Sequence, residues 1–174
     1  MSVSRPHPWS DGPRSRPVVL GVDHDQNPVV VRAAARISAA MRTGLVCVWV
    51  DGSRTIVSDE PGALITTPLD PDETDEAVVA AERAMIERLS PLLVDAGVSW
   101  QLRYVVGEVV HGLAAVAEEV DACVIAVGTR RPGISGWMNE LIGGSVAGRL
   151  AHSQLRPVLV VPQRRPGDGP EGGA

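Results

Sequence analysis

Short apolar runs alternate with amphipathic segments along the chain. The runs at 18–22, 45–50, 98–106, 123–127 and 157–162 have the length of β-strands, and hydrophobic residues repeat at helical spacing between them. Strands that alternate with helices indicate right-handed βαβ crossovers and a parallel sheet. We therefore predict an α/β fold, a doubly wound five-stranded parallel sheet with strand order 3-2-1-4-5.

The segments between the apolar runs predict where the helices begin and end. Asn27 as N-cap, followed by Pro28 at the first helical position, predicts a helix directly after the first strand. The segment 51–71 is rich in Asp, Gly, Pro, Ser and Thr, which predicts a long crossover loop. In the helix that follows, Pro91 is expected to cause a kink or to divide the helix into two.

The ends of the chain contrast with the patterned region between them. We predict a single domain over residues 17–163, with a disordered N-terminal tail at 1–16 and a disordered C-terminal tail at 164–174. The N-terminal residues contain no apolar segment of the kind found in secretory signals, and no apolar run approaches the roughly 20 residues that span a bilayer. These features favour a cytoplasmic protein that does not act at a membrane.

Composition excludes several classes of chemistry. The net charge is −5 and the pI about 5.3, so a broad nucleic-acid-binding surface is not expected. All 16 basic residues are arginines, and the absence of lysine excludes a Walker-type phosphate lysine and any Schiff base.

Metal and nucleophile chemistry also find little support in the sequence. Cys47 and Cys123 fall in strands that the predicted order separates by one strand, hence about 10 Å apart and too far for a disulfide. We predict two structural thiols. The histidines lack zinc-ligand spacing, and the Gly-x-Ser-x-Gly motif of a hydrolase triad is absent. No catalytic residue and no metal ligand is predicted.

Two segments should meet where the strand order reverses, at the carboxyl ends of strands 1 and 4. Asp23 follows the first strand, and Gly128 begins the segment after the fourth. Asp23 could accept hydrogen bonds from ribose hydroxyls, or it could only cap the turn. Gly143, Gly144 and Ser145 open a short helix, which is either an anion site or an ordinary N-cap.

Four sequence segments resemble universal stress proteins: Val19–Asp23, Val127–Arg130, Gly144–Val146 and Arg156–Pro162. The resemblance covers roughly residues 17–163. It implies the layered fold of adenine nucleotide α-hydrolase-like and flavodoxin-like proteins, and a site for ATP or a related adenine nucleotide, with Mg²⁺ at the phosphates. Asp23 would meet the ribose, Val50 would line the adenine pocket, and the start of the short helix would hold phosphates. The implied site residues are Val22, Asp23, Val50, Val127, Gly128, Arg130, Gly143, Gly144, Ser145 and Val146.

The segment after the fourth strand departs from the family motif Gly-x2-Gly-x9-Gly-(Ser/Thr). Arg131 stands where the motif has its second glycine, and the spacing from Gly128 to Gly144 is longer by three residues. Two interpretations remain open. Arg130 or Arg131 could replace the missing backbone contacts with positive charge. Alternatively, Arg131 and the longer loop could close the pocket.

The resemblance also implies a homodimer in which the strand at 157–162 pairs with its copy, and a hydrophobic edge strand is in keeping with that. The first functional hypothesis is a non-catalytic, nucleotide-binding stress-response module that contacts an unknown protein partner. The second is a nucleotide-free dimeric interaction protein. A third, an enzyme of a related fold, is disfavoured because Asp23–Asn27 replaces the Ser-Gly-Gly phosphate loop of such enzymes.

Overall fold

The computed structural model of the chain describes residues 4–58, 65–70, 74–129 and 145–163. Within them the structure has eight strands and four helices. They are β1 (Ser4–Pro6), β2 (Val18–Val22), α1 (Pro28–Ala40), β3 (Leu45–Asp51), β4 (Arg54–Ser58), β5 (Ile65–Pro68), α2 (Asp75–Val94), β6 (Trp100–Val106), α3 (Val109–Glu119), β7 (Val124–Gly128), α4 (Val146–Ser153) and β8 (Val158–Val161).

The main sheet of the described residues has the order β1-β6-β3-β2-β7-β8. Its five parallel strands, β6, β3, β2, β7 and β8, stand in the predicted order 3-2-1-4-5, so the predicted doubly wound α/β fold is confirmed. The sheet also has a strand that was not predicted, because β1 pairs antiparallel with β6 at the edge.

Both faces of the sheet are covered, which explains why its strands are apolar at successive positions. Along β2 and β3, alternate side chains face opposite sides: Leu20 and Cys47 pack with α1 and α2, whereas Val19 and Val46 pack with α3 and α4. Helix α1 begins as predicted, since the Asn27 side chain accepts a hydrogen bond from the Val29 amide and Pro28 is the first helical residue.

The N-terminal segment corrects one prediction. Residues 4–16, expected to be a disordered tail, run along the edge of the sheet. The amide of His7 donates to the carbonyl of Leu102 at 2.9 Å, and that of Ser10 donates to the carbonyl of Trp100 at the same distance. The open backbone groups of β6 are the hydrogen-bond partners that order this segment. Its polar, Pro-containing sequence does not reveal them. The predicted C-terminal tail at 164–174 lies outside the described residues.

The segment after β3 corrects another prediction. Instead of an unstructured crossover loop over 51–71, β4 and β5 form an antiparallel hairpin. The buried guanidinium of Arg54 donates to Thr66 on the second hairpin strand and pairs with Asp75 at the start of α2. Helix α2 is also one element, since Pro91 lies inside it and does not divide it.

Both cysteines are free thiols, Cys47 buried and Cys123 half-buried. Cys47 pairs in register with Leu20 of β2, which lies between the two cysteine-bearing segments as predicted. Within the part of the chain described, no helix has the length and hydrophobicity needed to cross a membrane.

Candidate functional site

The carboxyl ends of β2 and β7 lie side by side at the centre of the sheet. Helix α1 leaves β2 on one face and α3 leads into β7 on the other, so this is the point where the direction of the crossovers reverses. Val22 and Val127 are buried at these strand ends, in the cores on opposite faces. Both predicted site residues therefore support the site from below and do not project into it.

Asp23 lies directly beyond β2 and is exposed. Its Oδ1 accepts a hydrogen bond from the His24 amide at 2.7 Å, and its carbonyl accepts one from the Gln26 amide at 3.0 Å. One carboxylate oxygen of Asp23 therefore caps the turn, as one of the two interpretations of this residue expects. Among the described residues no hydrogen bond to the other oxygen, Oδ2, is found, which leaves it available to a ligand.

Arg88 of α2 supports the Asp23 turn from outside. Its Nη2 donates to the carbonyl of Asp23 at 2.5 Å, and its Nη1 donates to the carbonyl of Gln26 at 3.3 Å. One guanidinium group therefore spans the turn between β2 and α1. The sequence pattern did not predict this role, because Arg88 is 65 positions from Asp23 and lies on an amphipathic helix, where arginine is unremarkable.

Gly128 is the last residue of β7, and neighbouring side chains lie close to its Cα. A Cβ at this position would lie 2.6 Å from the Nε2 of Gln163, 3.0 Å from the Nε2 of Gln26 and 3.1 Å from the Cγ2 of Val30. A side chain here would displace both glutamines, so glycine is required for the two amides to lie over the strand end.

Gln163 lies two residues after the end of β8. Hydrogen bonds to its backbone amide and to its backbone carbonyl fix its position. Its amide donates to the Oγ1 of Thr129 at 3.0 Å, and its carbonyl accepts from the Nδ2 of Asn27 at 3.2 Å. Gln26 and Gln163 were not among the predicted site residues. Their signal in the sequence was position alone: each is a polar residue within a few positions of the carboxyl end of a strand.

Val50 lies on β3, the other neighbour of β2, and its side chain packs against α3. A Cβ on Gly112 of α3 would lie only 3.0 Å from the Cγ2 of Val50. The preceding residue, Trp49, faces the opposite side, where its ring meets that of His24 edge-on with centroids 4.5 Å apart. The rings of His24 and Trp49 therefore line the candidate site on the side of the sheet that α1 covers.

Ser145 and Val146 begin α4. The Oγ of Ser145 accepts a hydrogen bond from the Gly148 amide at 3.1 Å, so Ser145 is the N-cap of this helix. Val146 packs against the core beneath α3 and α4. No described hydrogen bond joins either residue to the Asp23 turn. The predicted site residues Arg130, Gly143 and Gly144, together with Arg131, lie outside the described residues.

A charge pair joins the starts of α3 and α4. The carboxylate of Glu108 caps α3 by accepting from the His111 amide at 3.0 Å, and its other oxygen accepts from Nη1 of Arg149 at 2.9 Å. Desolvation raises the pKa of Glu108, but the backbone donors His111 and Val110 and the charge of Arg149 outweigh it, so the pKa lies below its usual range.

The described side chains at these strand ends offer carboxylate, amide, hydroxyl and imidazole groups, which suits hydrogen bonding to a polar ligand. No group of three or more potential metal-ligating side chains is found in the described parts of the chain. Two concave surfaces lie elsewhere: one of about 310 Å³ along the start of α2, and one of about 190 Å³ between the N-terminal segment and Ile86 of α2.

The comparisons with known proteins agree with this architecture. The model of the universal stress protein family matches residues 14–162. A universal stress protein from Archaeoglobus fulgidus is 23% identical with a TM-score of 0.59, and the match covers 83% of this chain and 97% of that one. No curated protein matches the chain significantly.

Two further similar structures were solved with nucleotides. A universal stress protein in complex with cAMP is 24% identical with a TM-score of 0.58, over 87% of this chain and 99% of the other. The Archaeoglobus fulgidus protein in complex with dAMP is 21% identical with a TM-score of 0.56, over 83% and 96%.

Proposed function

The chain belongs to the universal stress protein family, and from that membership we propose that it binds an adenine nucleotide at the carboxyl ends of β2 and β7 and acts as a regulatory module. Occupancy of the site would change how the protein contacts a protein partner. The proposal extends to ATP, with Mg²⁺ at its phosphates.

The observation that carries this proposal is the Asp23 turn. Asp23 presents a carboxylate oxygen to solvent at the point where ligands bind in open α/β sheets. The turn is fixed by its own hydrogen bonds and by Arg88, so the oxygen has a defined position before any ligand arrives. A carboxylate there can accept a hydrogen bond from a ribose hydroxyl. The two related proteins solved with cAMP and dAMP support the choice of an adenine nucleotide.

The remaining contacts of the proposed complex follow from the strand ends and α4. Val50 would border the base, and Gly128 would contribute by leaving room for the amides of Gln26 and Gln163 at the nucleotide. The amides at the start of α4 and the hydroxyl of Ser145 would bind phosphate oxygens, because a helix N-terminus favours anions. Arg130, Gly143 and Gly144 are proposed to add contacts from the segment between β7 and α4.

Calorimetry with ATP, AMP and cAMP on the purified protein tests this proposal. We expect binding that is weakened about tenfold or more by Asp23→Ala, since hydrogen bonds to a charged group contribute roughly 1.5–3 kcal/mol. Asp95→Ala is the matched control, because Asp95 is an exposed acidic residue at the C-cap position of α2, far from the Asp23 turn in the sequence. Absence of binding at millimolar nucleotide would contradict the proposal, and so would equal binding by both variants.

We propose a role in binding, not in catalysis. The chain contains no lysine to stabilise a transferring phosphoryl group, and the carboxylate oxygen Oδ1 of Asp23 is committed to its turn. Phosphate release from ATP should therefore be slow, well below one turnover per second, when measured with a coupled assay at saturating nucleotide.

The edge of the sheet supports a second element of the proposal, a homodimer through 157–162. Among the described residues β8 pairs only with β7, and Val160 on it is 44% exposed. At the other edge of the sheet lies β1, a three-residue strand. Sedimentation should show a concentration-dependent dimer that Val160→Lys weakens. A monomer at all concentrations would contradict pairing at this edge.

The same experiments separate the alternative hypothesis, a nucleotide-free dimer. That hypothesis expects dimerisation without nucleotide binding, and it expects binding to appear when Arg131 is replaced by glycine. Binding by the unsubstituted protein would exclude it.

A further inference from the structure

The side chain of Gln26 contains a buried donor with no described partner. Its Nε2 is inaccessible to solvent, and no hydrogen bond to it is found among the described residues. Buried amide groups in folded proteins are almost always hydrogen-bonded, because an unpaired buried donor loses its hydration without compensation. Such a group at the carboxyl end of a central strand points to a missing acceptor.

A second amide converges on the same place. The Nε2 atoms of Gln26 and Gln163 lie 3.0 Å and 2.6 Å from the position that a Cβ on Gly128 would occupy. One acceptor atom above Gly128 could therefore lie within hydrogen-bonding distance of both nitrogens. Val30 closes this space on its helical side, so an acceptor bound there would be largely shielded from water.

The backbone of each glutamine is held by a different element. Gln26 lies in the turn that Arg88 binds through its carbonyl, and Gln163 is held by Thr129 and Asn27 through its backbone. Neither amide nitrogen is used by these contacts. The fold thus fixes the two backbones at the strand ends, and the Gln26 side chain must rotate about its own bonds to meet a ligand atom, because its nitrogen is inaccessible in this conformation.

We infer that the carboxamides of Gln26 and Gln163 bind a phosphate oxygen of the nucleotide, at the phosphate that carries the ribose. This inference rests on the proposed nucleotide site. Both groups direct amide nitrogens to one point, and an amide nitrogen only donates, so the ligand atom must be an acceptor. In an adenine nucleotide the phosphate attached to the ribose supplies acceptor oxygens a few bonds from the hydroxyls assigned to Asp23. Neutral amides bind such an oxygen without the cost of desolvating a cation.

The test compares adenosine with AMP, since only AMP has the phosphate. In calorimetry, Gln26→Met and Gln163→Met should each weaken AMP binding roughly fivefold, in line with the loss of a single hydrogen bond, and leave adenosine binding unchanged. Gln26→Glu should weaken AMP binding further, because a carboxylate repels the phosphate. Gln101→Met is the control, as the Gln101 amide donates to the carbonyl of His7 at the far edge of the sheet.

A measurement on the unsubstituted protein complements the variants. The side-chain amide NMR signals of Gln26 and Gln163, assigned by their loss in the Met variants, should shift with AMP and not with adenosine. If AMP binds with equal affinity to the wild type and both Met variants, or if neither signal moves, the phosphate role is overturned while the proposed function stands. If neither adenosine nor AMP binds the wild type, the proposed function fails and this inference fails with it.

Discussion

Arg88 and Asp23, on different elements and 65 positions apart, are joined by a hydrogen bond of 2.5 Å from the guanidinium Nη2 to the backbone carbonyl. The bond does not involve the Asp23 carboxylate, so it positions the turn without neutralising the acid. The same guanidinium reaches the carbonyl of Gln26 at 3.3 Å. Helix α2 therefore determines how the β2–α1 turn presents both side chains that we assign to the ligand.

Replacing Arg88 by Met should weaken nucleotide binding. Two hydrogen bonds that hold the turn are lost, each contributing about 0.5–1.5 kcal/mol to its folded conformation, and a ligand must restore that conformation when it binds. We therefore expect Kd to rise roughly tenfold. The aliphatic part of the side chain still packs in the variant. Calorimetry with AMP measures the effect, and Arg83→Met, an exposed arginine on the same helix, is the control. Equal Kd values in the two variants would show that the turn holds its shape without Arg88.

The N-terminal segment should depend on Glu82. This buried carboxylate on α2 accepts from Nη2 of Arg5 at 2.6 Å and contacts Nε2 of His7 at 3.3 Å. In Glu82→Gln the charge that holds both partners is lost, and a cost of about 1–3 kcal/mol is expected because Glu82 is buried while Arg5 is half-exposed. In this variant, hydrogen exchange at the amides of His7 and Ser10 should become faster than in the wild type, while exchange in β2 and β3 changes less. Unchanged exchange there would mean that β1 is held by its backbone pairing alone.

The sequence predicted the parallel strands well because the central ones are buried on both faces. Continuous apolar runs such as 45–50 can fold into little else between helical segments, and Asn27-Pro28 is a local helix start that no distant contact overrides. Sheet order followed from the crossover rule. These predictions depend on neighbours in sequence or on burial, both of which the residue pattern records.

The sequence could not predict contacts between polar residues far apart in the chain. β1 forms because β6 has an open edge, and Arg54 is buried because the β4–β5 hairpin and Asp75 surround it. At the candidate site, the positions of Asp23 and Gly128 could be predicted because both lie at the ends of predictable strands. Gln163 and Arg88 were missed, since their roles arise from where β8 and α2 happen to end and pack.

Acid should weaken the junction of α3 and α4. The pKa of Glu108 is lowered in the folded protein, so its ionised form contributes stability above the ordinary glutamate pKa, and this contribution is lost as the pH falls through the lowered value. Glu108→Gln keeps an oxygen for the helix cap but removes the charge. Its unfolding free energy should therefore fall less steeply than that of the wild type below about pH 5. Urea titrations from pH 7 to pH 3 measure the difference, with Glu118→Gln on the same helix as control. Parallel curves for wild type and Glu108→Gln would contradict it.

Alkali should weaken the core through Cys47. Burial raises the pKa of this thiol from 9.0 to about 12. Above pH 9 the unfolded chain releases the proton and the folded chain does not, so stability is present below that pH and is lost as the pH rises. At pH 10 the loss should be on the order of 1 kcal/mol relative to pH 7. Cys47→Ala removes this dependence, although its cavity lowers stability at every pH. Cys123→Ala, at a half-buried thiol, should change the slope less. Urea titrations at pH 7 and pH 10 give the comparison, and an identical slope in wild type and Cys47→Ala would show that Cys47 becomes accessible without global unfolding.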